Sequence, residues 1–278
     1  MTVQSKGTPA INAELADRFR FARDIAEEAG ALALDYFRRR KDLTVEIKGG
    51  LQDVVSIADR DVETLIRRRI AAAFLDDGIL GEEQGLLDGR SGYTWVVDPI
   101  DGTSAFVHGH KNWCVSIALT DGTEPVIGVI RVPCDDETFA AQRGGGATLN
   151  GAPLRLDGAL TLQNGLTGIG ASQSVVPEKV GALISGLMAR GGNYIRTGSG
   201  AQMLAFVAAG RLAGFHEPSM HAWDCLAGYC LVAEAGGFYL PFPAKGEGLL
   251  NSGPVLAAGP GAFDALRDLA ETSMCLTV

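Results

Sequence analysis

The sequence predicts a mixed fold, α+β in its first half and α/β in its second. Three observations carry that reading. A long amphipathic helix opens the chain, strands joined by hairpin signals follow it, and from about residue 160 glycine-bounded strands alternate with helices. At 278 residues the chain is too long for one minimal core and short for two independent domains. The expectation is one large domain, or two sub-domains sharing an interface, divided as 1–157 and 158–278. The seam near 155–162 carries no Pro/Ser-rich linker, so the halves should pack tightly.

The elements follow in order. From Ile11 to about Arg39, the residues Leu15, Phe19, Ala22, Ile25, Ala26, Ala29, Leu32, Ala33 and Tyr36 recur at helical spacing and run into a basic last turn. A short β-like run, "LTVEIK", precedes a loop that leads into a second helix at about 58–75. "GILGEE" and "YTWVVD" read as short strands that end on acids. Residues 113–133, "WCVSIALTDGTEPVIGVIRVP", alternate around a hairpin signal. "DETFAAQRGGGATLNG" reads as a strand, a turn and an extension. Beyond it, "LTGIGA", "NYIRTG", "LAGFHE", "GGFYL" and "VLAAG" read as strands, with helices near 178–190, 199–209, 223–235 and 261–272.

Composition excludes several classes of function. Hydrophobic residues at 46% and charged residues at 21% are ordinary globular values. The formal net charge is −9, and the basic runs "RRRK" at 38–41 and "RRR" at 67–69 fall at or inside helical patterns, as solvated faces do. No nucleic-acid partner is expected. No apolar stretch reaches the roughly 18 residues that cross a bilayer, so no membrane partner is expected either. The N-terminus lacks an apolar signal core, and five cysteines (114, 134, 225, 230, 275) show no CxxC spacing. A reduced, cytoplasmic protein is the expectation.

The chemistry concentrates in "WVVDPIDGTSAF", Trp95 to Phe106. Asp98 ends an apolar strand, and Pro99 removes a backbone donor and holds Asp98 extended. The backbone is expected to turn at Ile100, freeing its carbonyl, with Asp101 near the cap of a helix that starts around Gly102 and Thr103. Two carboxylates and a carbonyl on one side of a turn suit a hard cation such as Mg²⁺, and the free N–H groups of a helix start suit a phosphate. Other acids sit at element ends: Asp59, Glu82, Glu83 and Asp224. Two like charges about 4 Å apart repel by roughly 4 kcal/mol at an effective dielectric of 20. A converging cluster must therefore protonate, spread or bind metal, and metal is the outcome that leaves room for a phosphate.

With "GEE" at 81–83, "WVVDPIDGT" at 95–103 and "WDCLAGYCLVAEAGG" at 223–237, the chain resembles the inositol monophosphatase-like family of Mg²⁺-dependent, lithium-sensitive sugar and cyclitol phosphatases. The resemblance runs from the first helix to "VLAAG". It implies a layered αβαβα sandwich of the inositol monophosphatase and fructose bisphosphatase type, usually a homodimer, with two or three Mg²⁺ ions per site. It also implies roles. Glu82, Asp98 and the Ile100 carbonyl would hold one ion, and Asp98, Asp101 and Asp224 a second, with a labile third near Glu82. Thr103, backed by Asp59, would orient and deprotonate the attacking water, while the N–H groups of Gly102 and Thr103 would hold phosphate. Gly198, Ser199, Gly200 and Glu217 fall where the family lines the substrate pocket, and Lys48 matches a family lysine near the site.

The implied reaction is hydrolysis of a small phosphate monoester, first of all inositol monophosphate. Histidinol phosphate, fructose bisphosphate or a 3′-phosphoadenosine nucleotide are alternatives on the same metal core. A catalytically silent scaffold relative is the alternative of another class. The chain departs from the family after "FVHG", where "HKN" stands in place of a frequent Pro and aromatic, and at Pro218 beside Glu217. His108, His110 and Lys111 are expected at the pocket mouth rather than on zinc. "RGGGATLNG" lacks the Lys-Ser/Thr of a P-loop and reads as a turn.

Overall fold

The computed structural model describes residues 13–42, 45–47, 54–172, 175–243, 246–273 and 276. The first helix, α1, is described over Ala13–Arg38; its expected start at Ile11 lies outside the described residues, as do Lys48 and Cys275. A small hairpin pairs β1 (Val45–Ile47) with β2 (Val54–Ser56), and α2 follows at Ile57–Ala73. Then come β3 (Gly78–Gly81), β4 (Gly85–Leu87), β5 (Thr94–Asp101), α3 (Thr103–His108), β6 (Cys114–Thr120), β7 (Pro125–Val132), β8 (Glu137–Gln142), β9 (Gly146–Leu149) and β10 (Ala152–Leu154). The remainder is β11 (Leu166–Ile169), α4 (Pro177–Ala189), β12 (Asn193–Ile195), α5 (Gly200–Ala208), β13 (Gly214–Met220), α6 (Ala222–Glu234), β14 (Phe238–Tyr239), β15 (Gly253–Ala258) and α7 (Phe263–Thr272).

Apart from the small hairpin, the strands form two sheets. Eight of them lie in the order β10-β9-β8-β7-β6-β5-β3-β4, and five in the order β12-β11-β13-β15-β14. Period-2 alternation assigns the faces. Trp95 and Val97 of β5 join Ala22, Ile25, Ala29, Val62 and Ile66 under α1 and α2. Val96, between them, joins Leu204, Leu226 and Leu231 of α5 and α6 on the other face. Phe215, Val255 and Ala257 of the five-stranded sheet close that same core, while Leu256 and Ala258 point away to Leu183, Leu187 and Leu266 of α4 and α7. Five layers result: helices, sheet, helices, sheet, helices. This αβαβα sandwich is the expected architecture.

Two features of the packing position the site. The parallel pairing of β3 with β5 sets Gly81 opposite Val97, so Glu82 and Asp98 emerge at the same edge of the sheet. Helix α6 lies unusually close to β7, because a Cβ on Gly128 would collide with the carbonyl of Ala227. That approach brings the first turn of α6 over the ends of β5 and β6. There the Ser116 hydroxyl donates to the Trp223 carbonyl at 2.9 Å.

Candidate cation and phosphate site

The end of β5 differs from the expected sharp turn. The strand continues through Asp101, and its register against β6 shifts between Asp98 (opposite Ser116) and Asp101 (opposite Cys114). Pro99 has no N–H for the ladder, so the strand takes up a residue as a bulge rather than breaking. The bulge is locked locally: the Ile100 N–H donates to Asp98 Oδ1 at 2.9 Å. Asp101 stands next to the cap of α3, as expected, but not at it. Gly102 occupies that place in the left-handed region (φ 95°), and a Cβ there would stand 2.8 Å from the Asn112 carbonyl oxygen.

Asp101 is turned instead toward α5. Its Oδ2 accepts from the Ala201 N–H at 2.7 Å and from the Ser199 hydroxyl at 2.6 Å. Ser199 is itself the N-cap of α5, accepting from the Gln202 N–H. The N-terminus of a nine-residue helix thus holds one oxygen of this carboxylate. Asp224 is held in the same manner, its Oδ2 accepting from the His221 N–H at 3.0 Å at the start of α6.

These restraints bring Asp98, Asp101 and Asp224 together, with one carboxylate oxygen from each within 4.8 Å of the others. Asp98 and Asp101 are buried and Asp224 is partly buried. Burial is the largest cause raising all three carboxyl groups above the usual carboxylate range. Mutual repulsion adds to it: Glu82, Asp101 and Asp224 push Asp98 up, and Asp101 and Glu82 push Asp224 up. Glu82 therefore lies within electrostatic reach of the cluster, although it is not one of the three within 4.8 Å. For Asp101 the donors at α5 and the Cys114 thiol oppose the burial.

Such a set of oxygens fits a hard divalent cation. Mg²⁺–oxygen bonds of about 2.1 Å would allow ligand oxygens up to about 4 Å apart, close to the 4.8 Å within which these oxygens lie. Beside the cluster, the Thr103 hydroxyl lies 3.1 Å from Asp59 Oδ1 and 3.1 Å from the Ile100 carbonyl oxygen. Asp59 is fully buried in the first turn of α2.

A cleft of about 360 Å³ opens beside Asp101 and Asp224, with Gly198, Gly200, Glu217 and His221 among its walls. Ser199 faces inward to Asp101 and is 1% exposed. Burial and the Asp101 charge raise Glu217 to about 7, against the opposing pull of Arg196. A wider opening of about 790 Å³ adjoins it, with His108, His110, Asn112 and Arg196 among its walls; Lys111 is exposed beside them. Sequence reasoning missed Ser116, His221 and Arg196. Ser116 and Arg196 carry no signal of their own, since one acts through a backbone carbonyl and the other through a loop. His221 is readable only as the residue three before Asp224, where N-caps sit.

Five alternating layers thus carry, at one sheet edge, a carboxylate cluster that could hold a metal ion and a hydroxyl–carboxylate pair beside it. The chain belongs to the inositol monophosphatase family, whose sequence profile matches residues 14–274. It is 39% identical over 235 residues to an inositol-1-monophosphatase of Mesorhizobium japonicum, covering 84% of this chain and 88% of that protein. It is 35% identical over 236 residues to the Nus factor SuhB of Haemophilus influenzae, with the same two shares covered. Among solved structures, the extragenic suppressor protein suhB from Bartonella henselae superposes with a TM-score of 0.81 at 32% identity, covering 90% of this chain and 95% of that one. The Thermotoga maritima IMPase gives 0.81 at 28% identity, covering 93% and 98%. The family and these relatives indicate a phosphatase of the inositol monophosphatase type. The relatives called Nus factors leave the expected absence of a nucleic-acid partner without support. No described helix is long and apolar enough to cross a membrane.

Proposed function

We propose that this chain hydrolyses a small phosphorylated polyol, inositol monophosphate first, with two or three Mg²⁺ ions. The observation that carries the reading is the convergence of Asp98, Asp101 and Asp224 from two separate elements to within 4.8 Å. Glu82, Asp98 and the Ile100 carbonyl would serve one ion, and Asp98, Asp101 and Asp224 another. Asp101 suits this use because its Oδ2 is taken by Ser199 and Ala201, leaving Oδ1 for an ion. When bound, the ions supply a water acidic enough to attack at neutral pH and charge to stabilise the leaving oxygen.

The protein's own groups do the rest. A threonine hydroxyl alone is a poor base, and the contact with buried Asp59 gives Thr103 a route for the proton of the attacking water. The Gly102 and Thr103 N–H groups receive the phosphate oxygens, and Gly198, Gly200 and Glu217 border the space left for the alcohol. Ser199 acts behind them through Asp101. In this division of labour residues 1–157 hold most of the ligands, and 158–278 contribute Asp224 and the substrate contacts. A cytoplasmic homodimer belongs to the same proposal; the free thiols Cys114, Cys134, Cys225 and Cys230 suit a reducing compartment.

One observation favours a second reading. Glu217, at about 7 and bordering the cleft, would be stabilised as a carboxylate by the ammonium group of histidinol phosphate. Phosphate release from inositol 1-phosphate, histidinol phosphate, fructose 1,6-bisphosphate and a 3′-phosphoadenosine nucleotide, with and without Mg²⁺, tests both readings. Mg²⁺-dependent release should be fastest from the first. Faster release from histidinol phosphate would install the second reading, and release from none would leave a non-catalytic role.

A further inference from the structure

Glu63 lies on α2, outside every motif of the family resemblance, and its side chain is fully buried. A buried carboxylate needs partners, and these partners have a pattern. Its Oε2 accepts from the Glu83 N–H at 2.7 Å, and its Oε1 accepts from the Gln84 N–H at 3.0 Å. Both donors belong to the β3–β4 turn, immediately after Glu82. Arg67, one helical turn further along α2, donates from Nε to Glu63 Oε1 at 2.7 Å and with its other arm to the Gly85 carbonyl oxygen. The turn is thus gripped at both ends. The fit leaves no spare room, since a Cβ on Gly81 would collide with the Glu63 carboxylate.

What this grip fixes is the backbone from which Glu82 projects. Unlike Asp98, Asp101 and Asp224, Glu82 stands on a short turn between two strands of three or four residues. We infer that Glu63, with Arg67, is a positioning residue for the cation site: its carboxylate clamps the β3–β4 turn so that Glu82 meets the edge where Asp98 emerges. The inference rests on the cation-site reading above. The physical reason is that a ligand side chain has several rotatable bonds, and a loose backbone beneath it adds entropy that ion binding must then remove. Glu63→Gln keeps the shape but sets an amide donor against a backbone N–H, so the turn loses one bond and gains a donor–donor contact.

The test reads cation binding directly, with Mn²⁺ alone titrated into the full-length protein and free Mn²⁺ followed by electron paramagnetic resonance. Groups that orient metal ligands change affinity by roughly 10–100-fold when altered. Glu63→Gln is therefore expected to bind Mn²⁺ about tenfold more weakly while remaining folded by circular dichroism. The double variant Glu63→Gln/Glu82→Gln should bind no more weakly than Glu82→Gln alone, because Glu63 acts through Glu82. A purely structural role predicts a lower melting temperature with unchanged Mn²⁺ affinity, and that result overturns the inference. So does additivity in the double variant. If Glu63→Gln does not fold, Arg67→Gln decides: a weakening of threefold or more supports the clamp, and wild-type affinity overturns it. Wild-type protein that binds no Mn²⁺ would overturn the cation-site reading itself, a separate outcome.

Discussion

The two walls of the cleft are built differently. On the cation wall, Asp98, Asp101 and Asp224 each have an oxygen held by a backbone N–H, from Ile100, Ala201 and His221 respectively. They stand on β5 and α6, where Val97, Ile100, Cys225 and Leu226 beside them are fully buried. On the opposite side the residues are looser. His108 and His110 are exposed, and Arg196 reaches from the end of β12 to the Ala171 carbonyl oxygen. On the proposed reading, the contrast means that the sheet edge would fix the reaction and the looser wall the substrate. Changes on the first wall should abolish chemistry, and changes on the second should redirect it.

The largest effect should come from Asp98→Asn, which removes the carboxylate central to the cluster. Loss of several kcal/mol of charge stabilisation corresponds to a fall in kcat on the order of 10³-fold. Without divalent cation the same variant should melt at a higher temperature than wild type, because a buried, repelled charge is gone. With saturating Mg²⁺ that order should reverse. Melting curves with and without Mg²⁺ check both signs, and a variant with near-normal turnover would dissolve the distinction between the walls.

Thr103→Val comes next. It keeps the branched shape at the start of α3 but removes the hydroxyl that contacts Asp59 and the Ile100 carbonyl. Proton transfer by a positioned side chain contributes about 10²–10⁴-fold, so kcat should fall at least about 10²-fold with Mn²⁺ affinity little changed. Paired kcat and Mn²⁺ titrations separate the two. A variant that loses cation affinity instead would place Thr103 among the groups that hold the ion cluster together.

Much of the cation wall was legible because its residues obey local rules. Pro99 between two acids, a strand ending at Asp98 and a helix opening near Asp224 are one-dimensional patterns; strand–helix alternation argues for an α/β layer, and the full αβαβα order is what the family resemblance implies. What was not legible depends on contacts distant in sequence. The turn expected at Ile100 became a bulge because β6 stays paired with β5 through Asp101, and one strand's pattern does not contain its neighbour. Ser199 reads as a pocket residue from the resemblance and does border a small pocket with Gly198, Gly200 and Glu217, but the turn of its hydroxyl 98 residues back to Asp101 was not readable. Glu63 belongs to none of the motifs singled out in the sequence, and its burial follows only from the β3–β4 turn closing over it.

The smallest effect, and the sharpest probe of the second wall, is Glu217→Gln. Glu217 titrates near 7 instead of the 4.5 of a free side chain, because it is buried and near Asp101. A folded-state value above the unfolded one means the native protein holds the proton longer, so Glu217 lowers stability as pH rises from about 4.5 to about 7 and by a constant amount above that. The shift corresponds to a difference of up to about 3 kcal/mol between wild type and Glu217→Gln across that window. Urea midpoints of the two proteins, measured side by side without divalent cation, where the Asp101 charge bears on Glu217, give this difference with shared contributions cancelled. In catalysis the same titration should appear in KM, because on the proposed reading protonated Glu217 would donate to a substrate hydroxyl and ionised Glu217 would accept from it. Glutamine can donate or accept at every pH but never carries the charge, so KM should change by less than the roughly fivefold that a neutral hydrogen bond of about 1 kcal/mol is worth, with kcat nearly unchanged and the pH dependence between 6 and 8 flattened. A kcat loss as deep as that of Thr103→Val would move Glu217 onto the wall that performs the chemistry.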